Sequence, residues 1–158
     1  MGFGLPAAIG AALAEPNATT LCFTGDGSLL MNVQELATLA ELDLNVKIIL
    51  LDNGSLGLVR QQQALFYRKR FVASHFPQPS NFIGIAQAFG IAALDLEPEA
   101  NAQAALQRAL NAQGPAFIRV PIAVAHHVLP MVAPGGANTD ALDYAHPRAA
   151  GATRNSHA

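Results

Sequence analysis

Charge is scarce in this chain. Only 13% of its 158 residues are Asp, Glu, Lys or Arg, and they sum to a formal −2 at pH 7. No basic stripe runs along it, which argues against a nucleic-acid partner. The one basic group, Arg68-Lys69-Arg70, is short and reads as a solvated loop or a protein contact. Cysteine is nearly absent. Cys22 stands alone, so no intramolecular disulfide can form, and a reducing, cytoplasmic setting is expected. It lies within an apolar run and reads as an inert core residue. Long apolar runs are missing too: none reaches the roughly 20 residues of a membrane span. Residues 5–14 come nearest and end in Ala-Leu-Ala, as a leader peptide might. No Lys or Arg precedes them and the first charge is Glu15, so they read as a core helix packed through small residues.

What is present suits a single packed domain. Apolar residues make up 51% of the chain, enough for a sizeable core. Residues 5–14 read as a helix ended by Glu15-Pro16-Asn17, and residues 20–24 as a strand. Val33, Leu36, Ala37, Leu39 and Ala40 recur at helical spacing, with Asn32 placed to cap them. Val46 to Leu51 is almost continuously apolar, as a parallel strand buried on both faces is. Helices follow over Leu56–Tyr67, Phe82–Phe89 and Glu99–Gln113, with strands near Ile91–Leu94 and at Ala116–Val120. This alternation predicts a three-layer α/β/α domain with a mainly parallel sheet. In such a domain ligands bind beyond the carboxyl ends of the strands. After Pro121 the pattern fades, and the Ala, Gly, Ser and His composition of residues 144–158 predicts a disordered tail.

Two turns stand where two consecutive strands end. One is Gly25-Asp26-Gly27-Ser28, the other Asp52-Asn53-Gly54-Ser55. Each alone is ordinary: Gly-Asp-Gly is a common turn, and Asn-Gly is a hairpin signal. A hairpin should lead into another strand, yet Leu56–Tyr67 reads as a helix. In a parallel sheet both turns face one crevice. Asp26 and Asn53 offer hard oxygen ligands, suited to Mg²⁺ or Ca²⁺. Glycine beside the acid lets a phosphate approach backbone N–H groups, and a following helix N-terminus favours its charge. The pattern is neither a dinucleotide fingerprint nor a P-loop. His75, His126 and His127 lack partners at zinc spacing and read as ordinary surface residues.

Gly-Asp-Gly followed by Asn53, 27 residues after Asp26, resembles the motif of thiamine-diphosphate enzymes. More narrowly, the chain resembles the C-terminal cofactor-binding domain of acetohydroxyacid (acetolactate) synthase large subunits of the isozyme I type. The stretches that carry the likeness are MGFGLPAAIGAAL, GDGSLLMNVQELATLAEL, VKIILLDNGSLGLVRQQQALFY and VLPMVAPGGANTDAL, spanning residues 1–143. The resemblance implies thiamine diphosphate and Mg²⁺ as cofactors. It implies Asp26 and Asn53 as side-chain metal ligands, with Ser55 giving its backbone carbonyl. Gly25, Gly27 and Ser28 fall at diphosphate-contacting positions. Leu56, Gly57 and Leu58 line the cofactor, and Met1 takes the place of an apolar residue beneath it. The reaction implied decarboxylates pyruvate and ligates the two-carbon unit to a second 2-keto acid.

Two positions depart from the family pattern. The motif ordinarily ends in Asn-Asn, whereas here it is Asp52-Asn53; the liganding position is kept, so metal binding is expected to survive. Most members carry Trp where this chain has Gln62, and Gln there implies weak discrimination for 2-ketobutyrate. The family's essential glutamate lies in an N-terminal pyrimidine-binding domain of the neighbouring subunit, so no catalytic residue is assigned to this chain. The chain begins inside the family motif. It is therefore expected to be one domain of a three-domain enzyme, inactive alone, oligomeric in its whole form, and a potential partner of a small regulatory subunit.

Overall fold

The computed structural model describes residues 1–143; the tail at 144–158, expected to be disordered, lies outside the described residues. The chain divides into two compact units. One comprises Met1–Ser55 and Phe76–Val124, the other Leu56–His75 and the chain from Ala125 onward.

The first unit is built on four parallel strands: β1 (Thr20–Gly25), β2 (Val46–Asp52), β3 (Ala92–Asp95) and β4 (Ala116–Pro121), in the order β1-β2-β4-β3. The apolar run chose the central position for β2. Val46, Ile48 and Leu50 face one side and Ile49 the other, all buried. Each such side chain contributes about 1.5–3 kcal/mol on leaving water. Helices α1 (Gly4–Ala14), α3 (Glu35–Glu41) and α5 (Phe82–Ala88) join Cys22, Ile48, Leu50 and Phe117 in one core cluster. Helix α6 (Ala102–Asn111) packs Leu106, Ala109 and Leu110 against Ile49, Ala116 and Ile118 in another. The strand order explains the split. The β3-to-β4 step runs back across the sheet, so a right-handed crossover puts its helix on the opposite face. The result is the three-layer parallel architecture read from the pattern. Among the described residues no helix is long and apolar enough to cross a membrane.

Some boundaries differ from the sequence reading, for local reasons. Asn32 does not cap the third helix, which starts at Glu35 after Gln34. Its carbonyl instead accepts the Glu35 N–H in a preceding turn, and its side chain lies against Gly2. Gly2 sits at φ +84°, where a side chain would strain the backbone, and a Cβ there would stand 2.7 Å from Asn32 Oδ1 and displace it. Helix α6 begins later than expected because Asn101 caps it, its Oδ1 accepting the Ala104 N–H at 3.0 Å. Asn81 does the same for α5 through Gly84 N–H.

The second unit holds helix α4 (Gly57–Phe66) and a 3₁₀ turn at Asn138–Asp140. An antiparallel bridge joins Met131 to Leu142. Gln61 is buried and ties this unit together: its amide accepts the Val128 N–H at 2.7 Å and donates to the Val128 carbonyl at 2.8 Å.

Candidate functional site

The parallel register sets Gly25 opposite Leu51, so β1 and β2 end at the same edge of the sheet. The chain leaves β1 directly into α2 (Asp26–Leu29), a single helical turn rather than the open turn expected. It leaves β2 into the Asp52–Ser55 turn, where Gly54 adopts φ +64°. The two turns are tied by one donor. The Ser55 N–H is shared between Asp26 Oδ2 at 3.2 Å and Asn53 Oδ1 at 3.0 Å. Two side chains distant in sequence therefore bring their oxygens to one point.

Asp26 is only 3% exposed. Its other oxygen accepts the Gly27 N–H at 2.7 Å. Among the described residues no cationic side chain pairs with it. Burial pushes its pKa up and nearby Asp52 pushes the same way, while the N–H bonds from Gly27 and Ser55 oppose them incompletely. A buried carboxylate in this state is short of positive charge. Ser55 is buried as well, and among the described residues its Oγ has no hydrogen-bond partner. A hard cation fits this set: an underneutralised carboxylate, an amide oxygen and an unsatisfied oxygen-bearing turn. Asp26 is the carboxylate that shares the Ser55 N–H, with Asp52 in the adjoining turn, and among the described residues no group of three or more His, Cys, Asp or Glu side chains could hold a metal.

Gly25 leaves its surroundings open, since an added Cβ would meet only the Leu51 carbonyl at 4.0 Å. Gly27 lies buried in α2, and Ser28 Oγ accepts the Gly2 N–H at 2.9 Å. That bond brings the first residues of the chain to α2, leaving the neighbouring Met1 side chain 72% exposed.

The remaining candidates, Leu56, Gly57, Leu58 and Gln62, belong to the second unit. Leu56 N–H donates to the Ser74 carbonyl at 2.9 Å, fixing the start of α4. Gly57 opens the helix, and Leu58 is exposed. The three consecutive glutamines differ. Gln61 is the buried tie described above, and Gln63 is held by Val72 and by Ser74 Oγ at 2.7 Å. Gln62 alone is presented outward, where with Val59, Tyr67, Arg70 and Val72 it lines a depression of about 410 Å³.

One participant escaped the sequence reading. Arg119 on β4 donates from Nε to Asp52 Oδ2 at 2.7 Å, and from Nη1 to Asp95 and Glu97. A lone Arg inside an otherwise apolar strand was the available signal, and an acid at position 52 was its counterpart.

Comparison with known proteins gives the chain a family. The family described as thiamine pyrophosphate enzyme, C-terminal TPP binding domain, matches residues 1–120. The acetolactate synthase isozyme 1 large subunit of Escherichia coli is 56% identical over 140 residues, which is 89% of this chain and 25% of that protein. The isozyme 2 large subunit of the same organism is 45% identical over 143 residues, 90% of this chain and 26% of that one. The acetolactate synthase large subunit of Pyropia yezoensis is 42% identical over 149 residues, 94% of this chain and 25% of its own. The chain thus spans about a quarter of the length of these relatives. With the matched profile covering most of its length, the chain belongs to the family of C-terminal TPP-binding domains of thiamine pyrophosphate enzymes.

Proposed function

We propose that this chain is the Mg²⁺–diphosphate half of the active site of an acetolactate-forming enzyme. The observation that carries the reading is the Ser55 N–H shared by Asp26 and Asn53 beside a carboxylate short of positive charge. The names and identities of the relatives supply the reaction class.

Asp26 and Asn53 would hold Mg²⁺ through their side chains and Ser55 through its backbone carbonyl. Magnesium takes few protein ligands and fills its shell with water and phosphate oxygens, so three donors suffice. Gly25, Gly27 and Ser28 would receive the diphosphate against the backbone. Met1 would supply an apolar contact to the cofactor, and Leu56, Gly57 and Leu58 are assigned to cofactor binding by the family resemblance alone. When bound, thiamine diphosphate supplies the nucleophilic carbon that removes CO₂ from pyruvate and passes the two-carbon unit to a second 2-keto acid. This chain's residues bind and orient; the proton-handling glutamate is assigned to a pyrimidine-binding domain on the neighbouring subunit. Gln62, standing outward from α4, would face the second substrate and discriminate weakly between pyruvate and 2-ketobutyrate. A small regulatory subunit and a cytoplasmic location follow from the same reading.

Product analysis of the intact enzyme tests it. Pyruvate alone should give acetolactate. With 2-ketobutyrate added, both products should form with little preference, and Gln62→Trp should raise the 2-ketobutyrate product. Acetaldehyde as the main product, or turnover of glyoxylate alone, would place the chain with a decarboxylase or a glyoxylate carboligase. The isolated 158-residue chain should form no acetolactate.

A further inference from the structure

Asp52 places a second carboxylate beside the proposed metal turn. It directly precedes Asn53, whose Oδ1 shares the Ser55 N–H with Asp26 Oδ2. Left alone it would compete with Asp26 for a cation and repel an incoming diphosphate. It is not left alone. One of its oxygens, Oδ1, accepts the Gly54 N–H at 3.2 Å, inside the turn. The other, Oδ2, receives Arg119 Nε at 2.7 Å, with both side chains largely shielded from solvent.

Arg119 reaches Asp52 from β4, the neighbouring strand. Its Nη1 also contacts Asp95 Oδ2 at 2.9 Å and Glu97 Oε2 at 2.8 Å. Burial works against the guanidinium charge, but hydrogen bonds to Glu97, Asp52 and Asp95 outweigh it and hold it firmly cationic. The three acids are not equivalent. Glu97 is well exposed and Asp95 partly so, and water can serve them. Asp52 is the most buried of them and the one that adjoins the site.

We propose that Arg119 is a positioning residue for the metal–diphosphate turn: it neutralises Asp52 and turns it toward β4, so that Asp26 remains the only carboxylate offered to the metal. This rests on the Mg²⁺–thiamine diphosphate reading above. The competing account is that Arg119 simply staples β2, β3 and β4 together.

Direct cofactor binding separates the two. Thiamine diphosphate affinity of the intact enzyme is measured by calorimetry at fixed Mg²⁺, alongside urea unfolding. Arg119→Met uncovers Asp52 and should weaken binding about tenfold, the scale of one uncompensated charge near a partly shielded anion site. Adding Asp52→Asn to that variant removes the exposed charge while keeping an oxygen for the Gly54 N–H. The double variant should return to within about twofold of wild type, although Asp95 and Glu97 still lack their arginine. Undiminished affinity in Arg119→Met overturns the proposal, as does failure of Asp52→Asn to restore it, which is the outcome for a staple. Should Arg119→Met not fold, Arg119→Gln carries the same comparison, because its neutral amide keeps hydrogen-bonding capacity in the strand without supplying the charge that neutralises Asp52. Asp26→Ala serves as the control: unchanged affinity there would refute the metal reading itself, independently of Arg119.

Discussion

Lys47 and Asp26 are both buried charges at opposite ends of one parallel sheet, and the chain provides for them differently. Lys47 lies at the start of β2 and is completely buried. Its Nζ donates to the Ala112 carbonyl at 2.6 Å and to the Gly114 carbonyl, just past the end of α6, with Asp43 nearby. Cations are favoured at helix C-termini, where carbonyls lack partners. Every element of that arrangement is inside the chain. Asp26, beyond the end of β1, receives two backbone N–H groups but, among the described residues, no cationic side chain. A closed polar network of the first kind holds a fold together. An open one of the second kind is where the proposed metal would bind.

The contrast can be broken from either side. The largest effect is expected from Asp26→Ala in the intact enzyme, which should lower Mg²⁺-dependent retention of thiamine diphosphate by about 100-fold or more, at or beyond the top of the roughly 10–100-fold that losing an outer-shell partner costs. In the metal-free enzyme Asp26→Asn should unfold at an equal or higher temperature, because a costly buried charge has been removed. Calorimetry and thermal unfolding read the two halves. Lys47→Met should behave in reverse, costing about 1–3 kcal/mol in urea unfolding as the two carbonyls lose their donor, with cofactor affinity unchanged.

A smaller effect belongs to Gly114→Ala. Gly114 sits at φ +71°, and a Cβ would stand 2.6 Å from Asp43 Oδ1. Asp43 can give way, so the backbone conformation dominates, at about 1–2 kcal/mol. The smallest is a pH dependence. Burial lowers the Lys47 pKa, with Asp43 partly opposing it. The folded state therefore binds this proton less tightly than the unfolded chain. Its cost is fully present below the folded pKa, and stability is regained as pH rises from there through the ordinary lysine value. Lys47→Met should lack that alkaline gain when unfolding is followed against pH.

The same contrast explains what could be read from the sequence. The sheet was legible because β2 is apolar on both faces, a pattern few other elements produce. The paired turns were legible because strand ends in parallel sheets converge, and Asp26 and Asn53 do share the Ser55 N–H. Helix starts were less so. Asn32 has the residue type of a cap, but the helix begins three residues later at Glu35 and the asparagine side chain sits close to Gly2, a placement that residue type cannot announce. Lys47 was hidden for a related reason: within a run of apolar residues it looks like an interruption, and only the end of α6 gives it partners. Arg119 and Asp52 are 67 residues apart, and nothing local couples them. The division into two units is likewise invisible in a sequence that reads as one domain over residues 1–143, since the second unit is assembled from separated segments.

The central claim, that Asp26 and Asn53 close on a metal, is tested most directly by placing one there. The intact enzyme crystallised with thiamine diphosphate and Mn²⁺ in place of Mg²⁺ would give an anomalous scattering peak at the ion. The account predicts that peak about 2.1 Å from a carboxylate oxygen of Asp26, Asn53 Oδ1 and the Ser55 carbonyl, with Asp52 still turned to Arg119. A peak on Asp52 instead, or a bound cofactor with no ion between these turns, would contradict it.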